Sequence, residues 1–212
     1  MNYRIRQTAI DAYDEATNTI EEMFNMFKLA LANKGSSFNV RTELNGFDVL
    51  LQYSMMQVAL KDDYLHVEEV KLIRDLSKYC DFCDYLNQRG YRNVTWQMVL
   101  NTDERTLKSI LSDYQDDMIN LSKDFIAVFS LVDKAIVERR YLDELKDQVA
   151  KIIGAVAYAD GELDDTELSG SCMIISAIQV IEKIIYENEV LSDESPKVSS
   201  KKSLKDFYVK KN

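Results

Sequence analysis

Apolar side chains recur at three- and four-residue spacings along the N-terminal segment. Ala9, Ala12, Tyr13, Ala16, Ile20, Met23, Phe27, Ala30 and Leu31 form one stripe of a long amphipathic helix, which Asn33-Lys34-Gly35-Ser36-Ser37 ends. Adding 98 to those positions gives Leu107, Ile110, Leu111, Tyr114, Met118, Leu121, Phe125, Val128 and Phe129, every one apolar. The pattern predicts two similar halves. Each has a long helix, a connection, a helix over about 43–61 or 141–159, a turn, and a helix over about 67–86 or 165–191. The interval 87–102, with Gly90 and Trp96, joins the halves, and Thr102 is the expected N-cap ahead of Asp103 and Glu104.

One proline and six glycines in 212 residues, with few β-branched alternations, leave little room for sheet, so the expected fold class is all-α. Long helices of this kind bury their stripes best in a shared bundle core. The expected organisation is one domain over 1–195, built from repeats at about 8–76 and 106–174, followed by a basic flexible tail over 196–212. That tail holds Lys197, Lys201, Lys202, Lys205, Lys210 and Lys211 against Asp206, and its Ser- and Lys-rich composition after Pro196 predicts disorder.

The turns that join the second and third helices of each half carry the most distinctive chemistry. Ala157-Tyr158-Ala159-Asp160-Gly161-Glu162-Leu163-Asp164-Asp165-Thr166-Glu167 is preceded, 98 residues earlier, by Ala59-Leu60-Lys61-Asp62-Asp63-Tyr64-Leu65-His66-Val67-Glu68-Glu69. From Asp160 to Glu167 the spacing matches the second half of an EF-hand loop: aspartate, glycine for the sharp turn, an apolar anchor, and a glutamate that can swing back. Val156 and Tyr158 stand where such a loop needs oxygen ligands. A Ca²⁺ or Mg²⁺ ion would therefore rest on Asp160, Glu167, Asp164 or Asp165, and water. In the first turn the corresponding set is Asp62, Asp63 and Glu69, with Lys61 opposing it and no glycine. The same residues also serve without any ion: Gly161 closes one helix, Asp164 caps the next, and Glu167 completes a capping box.

These turns resemble those of the tellurite-resistance TerB-like proteins, an all-helical family with two acidic A-x-x-D-G-x-h-x-x-x-E turns, each joining two helices. The resemblance rests on the two turns and their flanking helices, about half of the chain, and Asp63 replaces the family's glycine in the first. It implies a non-enzymatic interaction or scaffold protein associated with chemical-stress response, whose acidic turns hold a divalent cation or contact a partner. A weak cation-binding sensor is the alternative, and a metal-assisted hydrolase using clustered carboxylates is a third.

Charge and cysteine usage narrow the remaining classes. With 26 basic and 36 acidic side chains the net charge is −10, which repels nucleic-acid phosphates over most of the molecule. The expected partner is another protein, as yet unidentified, and self-association stays open. No apolar run reaches the roughly 18 residues a membrane helix needs, and the N-terminus leads into a helical pattern rather than a secretory h-region. Three cysteines are too few for a disulfide framework, so a cytoplasmic location is expected. Cys80 and Cys83 form a C-x-x-C, but there is no second pair, no βαβ pattern, and His66 is the sole histidine. A core role for two thiols three apart on one helical face is the better reading, and His66 reads as a solvated turn residue. No nucleophile elbow, phosphate loop, dinucleotide fingerprint or H-E-x-x-H occurs, and no enzymatic activity is expected.

Overall fold

The computed structural model describes residues 3–33, 37–61, 65–90, 93–159 and 172–186. These form α1 (Tyr3–Ala32), α2 (Val40–Ala59), α3 (Val67–Asp75), α4 (Phe82–Gln88), α5 (Trp96–Asn101), α6 (Glu104–Asp113), α7 (Gln115–Ser130), a 3-10 turn (Lys134–Ile136), α8 (Arg139–Ala157) and α9 (Met173–Tyr186). No strand occurs among the described residues, and no described helix is long and apolar enough to cross a membrane. The all-α helical bundle is therefore the observed architecture. The tail over 196–212 lies outside the described residues.

α2 is the hub. Leu44, Phe47, Val49, Leu50, Leu51, Tyr53, Met55, Met56 and Val58 are buried around its whole circumference, because α1, α3, α4, α7, α8 and α9 all pack on it. α1 packs chiefly along α8, where the fully buried Ala9, Ala12 and Ala16 let the two helices approach closely. Gly46 does the same for α2 and α7, since a Cβ there would sit 3.2 Å from Leu121 Cδ1. An aromatic cluster joins α1 to α7: Phe24 and Phe27 meet Phe125 and Phe129, with Phe27 and Phe129 edge-to-face at 5.2 Å. The buried residues form one continuous cluster from α1 to α9.

Four elements depart from the sequence pattern. The helix expected over about 67–86 is two helices, with 76–81 drawn out of helical conformation between them. The second long helix is divided at Tyr114, whose φ of −96° and ψ of 0° end α6 just before α7 begins. The connection over 87–102 contains α5, and the cap ahead of Glu104 is Asp103, which accepts from the Thr106 amide at 3.0 Å. Thr102 is one position too early and spends its hydroxyl on the Met98 carbonyl at 2.6 Å. Last, His66 is the half-buried N-cap of α3 rather than a solvated turn residue.

The first of these departures has a traceable cause. Asp48 and Gln52 on α2 bind the backbone of 78–82, and the residues 98 positions on are Lys146 and Ala150. Neither side chain can accept a backbone amide as Asp48 and Gln52 do. The positions answering to 76–81 lie inside α9, which runs unbroken, while Lys146 pairs instead with Glu182.

Candidate functional site

The first acidic turn begins where α2 ends. Leu60 returns its amide to the Met56 carbonyl and Lys61 its amide to the Val58 carbonyl, both at 3.1 Å, and the chain re-enters helix at Val67 behind the cap His66. His66 Nδ1 accepts from the Glu68 amide at 3.3 Å, and Glu69 Oε2 accepts from the His66 amide at 2.7 Å. This is a capping box with histidine in the place of serine. Glu69 is 3% exposed, so its carboxylate is folded back onto the helix start. Asp62 and Asp63 lie outside the described residues, as do Asp160, Asp164, Asp165 and Glu167 of the second turn. Of the seven acidic candidates, Glu69 alone is placed, and its placement is that of a cap. Among the described residues no group of three or more His, Cys, Asp or Glu side chains gathers as a cation site would require.

A second polar centre, unmarked in the sequence pattern, lies where α1, α2 and the 76–81 segment meet. Asp48 is fully buried, and its Oδ2 accepts the amides of Lys78, Tyr79 and Cys80 at 3.1, 2.6 and 3.2 Å. Its Oδ1 accepts the Tyr13 hydroxyl at 2.8 Å, and the Lys78 amide also reaches that hydroxyl oxygen at 2.7 Å. One turn on, Gln52 donates to the Cys80 carbonyl at 2.8 Å and accepts the Phe82 amide at 3.0 Å. Asp81 then caps α4 through the Cys83 amide and takes the Trp96 indole N–H at 2.6 Å. The backbone groups released by breaking the helix are thus taken up by two side chains of α2.

Electrostatics follow from this burial. Burial pushes the Asp48 carboxyl above its ordinary range, although the amides of Tyr79, Cys80 and Lys78 and the Tyr13 hydroxyl favour its charged form. Burial and then the Asp48 charge push the Tyr13 phenol well up. Nearer the surface the Tyr79 ring lies between Arg41 and Lys78, 5.1 and 5.0 Å from its centroid, and its hydroxyl donates to Glu21 at 2.6 Å. Arg41 donates to the Tyr79 carbonyl at 3.1 Å, and Asn45, with its amide oriented by the surrounding acceptors, donates to the same oxygen at 3.1 Å. Both carboxylate oxygens of Asp48 are engaged, and the residue is fully buried. The cluster is an anchor for the 76–81 segment rather than an acid–base pair.

The C-x-x-C divides across the helix break. Cys80 lies in the extended segment, half-buried, and Cys83 is buried in α4. The expectation that both share a helical face is corrected by the pull of Asp48 and Gln52. Burial raises both thiols, assisted by nearby carboxylates, and carries Cys83 to about 12. A redox or metal-binding pair needs the opposite shift, toward thiolate. No protein-family model, no curated protein and no solved structure matches this chain.

Proposed function

We propose that this chain is a non-enzymatic, helical interaction protein of TerB-like type, acting in the cytoplasm in connection with chemical stress. The observation that carries this reading is a groove of about 500 Å³, lined by apolar and polar side chains in near-equal measure, beside the first acidic turn. Leu65 and Val67 line one side, Val99 and Leu100 of α5 the other, and Thr102, Asp103, Glu104 and Arg105 complete it, two carboxylates against one guanidinium. Val67 is 45% exposed and Met98 on α5 is 50% exposed, so apolar surface faces solvent within an acidic molecule. Such a surface suits a partner segment that presents apolar side chains flanked by lysine or arginine. The capping role of Glu69 supports the same reading, because it makes the first turn a joint that positions Leu65 and Val67.

The test is co-purification with the full chain and with a Val67→Glu, Met98→Glu variant that melts at the same temperature. A partner retained by the wild type and lost by the variant is expected. Retention of the same proteins by both would contradict the interaction reading at this surface. The cation-sensor alternative rests on the second turn, Asp160 to Glu167, since Glu69 of the first is engaged as a cap and Glu68 pairs with Lys71.

A further inference from the structure

Residues 196–212 hold six lysines against Asp206, a charge of +5, which leaves −15 on the rest of a chain whose net charge is −10. Within them Leu204, Phe207 and Tyr208 stand three and four positions apart, the spacing of one helical face. Lys201, Lys202 and Lys205 flank that triad on one side and Lys210 and Lys211 on the other. A segment this polar builds no core of its own, yet three apolar side chains at this spacing are what an amphipathic helix lays into a groove.

Charge separates the grooves open to such a segment. The pocket at the end of α2 carries Lys61 and Lys108 on its wall and no carboxylate. The wider groove between α1 and the start of α2 carries Lys28 and Arg41 against Glu21. Both linings are net positive and disfavour lysines. The groove beside the first turn carries Asp103 and Glu104 against Arg105, with Leu65, Val67, Val99 and Leu100 as its apolar walls. Reach is sufficient. The chain leaves α9 beside the start of α8, where the Tyr186 hydroxyl donates to the Val137 carbonyl at 3.3 Å. From there residues 187–203 span up to about 55 Å at about 3.3 Å apiece. The 30 residues of α1 run about 45 Å, so the connection covers the length of the bundle.

We propose that the chain's own lysine-rich segment, residues 201–211, occupies the groove beside the first turn through Leu204, Phe207 and Tyr208, and that an outside partner must displace it. This rests on the reading of that groove as a docking surface and names its resident occupant. A tethered segment meets its groove at an effective concentration on the order of a millimolar, so an intrinsic dissociation constant of about 1 mM fills the groove about half of the time. Such occupancy keeps exposed apolar surface covered without blocking a tighter ligand.

Amide shifts of the full chain carrying Leu204→Ser and Phe207→Ser, compared with those of the wild type at low ionic strength, read the occupancy. Differences are expected at Leu65, Val67, Val99, Leu100 and Glu104, and they should stay constant over an about tenfold range of protein concentration. A synthetic peptide of residues 199–212 should return the variant's groove amides toward their wild-type positions, with a dissociation constant on the order of 1 mM. It should bind the wild type about twofold more weakly, because the resident segment competes. Groove amides that superimpose in wild type and variant, differences confined to other faces, differences that grow with protein concentration, or a Phe207→Ser peptide that binds as well as the native one would overturn the proposal. That failure would leave the co-purification expected at Val67 and Met98 standing, whereas self-docking with no co-purified partner would remove the outside partner alone.

Discussion

Asp48 shows how one residue can reorganise a bundle. A carboxylate in the run Phe47-Asp48-Val49-Leu50-Leu51 is costly to bury, and the cost is offset by the Tyr79 and Cys80 amides and the Tyr13 hydroxyl, which donate to it, and by the Lys78 amide, which it shares with the Tyr13 oxygen. Asp48→Leu should therefore cost at least about 3 kcal/mol in urea unfolding, since it removes the acceptor of the Tyr79 and Cys80 amides and of the Tyr13 hydroxyl. Asp48→Asn, which retains one acceptor oxygen, should cost less. The pH dependence has a definite sign. A carboxyl whose folded pKa is raised holds its proton more tightly in the folded state, so its contribution to stability grows as pH falls from above the folded value to the ordinary 3.8. The wild type should gain stability relative to Asp48→Asn between pH 7.5 and pH 4.5, as read from urea midpoints; a widening deficit would refute the assignment. Asp75 acts in the opposite sense. Burial alone would raise it, but hydrogen bonds from Arg6 and Arg74 together hold it low, so its contribution is lost only as pH falls below the ordinary carboxylate range.

At the scale of elements, the third helix of each half marks where pattern ends and tertiary structure takes over. The stripe from Ala9 to Leu31 was legible because every third or fourth side chain is buried against one face, and α1 follows it. The break at 76–81 was not, because its cause lies about thirty residues away on α2, in Asp48 and Gln52. Asp48 stood in plain view as a charge inside an apolar run, and that was the available signal. Gln52→Leu should accordingly speed hydrogen exchange at Phe82 and through α4 while leaving α1 protected, a local opening rather than global loss. The first acidic turn was half legible. The spacing identified Glu69, but whether it capped or ligated depended on where its carboxylate turned. Removing the box should be measurable: Glu69→Ala and His66→Ala should each cost about 1 kcal/mol, and the double variant less than their sum, because the two reciprocal bonds act together. Strict additivity in a double-mutant cycle would show that the box is not cooperative.

On the scale of the whole molecule, the proposed docking role draws on an acidic composition, a shared core, a capped first turn and exposed apolar side chains beside it. The 98-residue offset carries α2 onto α8 and α1 onto α6 and α7 together, but it carries α3 onto 165–173, most of which lies outside the described residues, and it puts Lys146 where Asp48 stands. Ion binding at Asp160 and Glu167 is the feature that would most alter this view, since it would turn a joint into a sensor. Lacking the first-half ligands, such a site would have a dissociation constant of about 10⁻⁴–10⁻³ M, and millimolar Ca²⁺ would stabilise the fold by about 0.4–1.4 kcal/mol. Thermal melting of the wild type and Asp160→Asn, in chelator and in millimolar Ca²⁺ at matched ionic strength to remove screening, separates the two most directly. An interaction protein whose acidic turns are structural joints predicts the same wild-type midpoint in both buffers. A calcium-dependent rise in the wild type that vanishes in Asp160→Asn would contradict it.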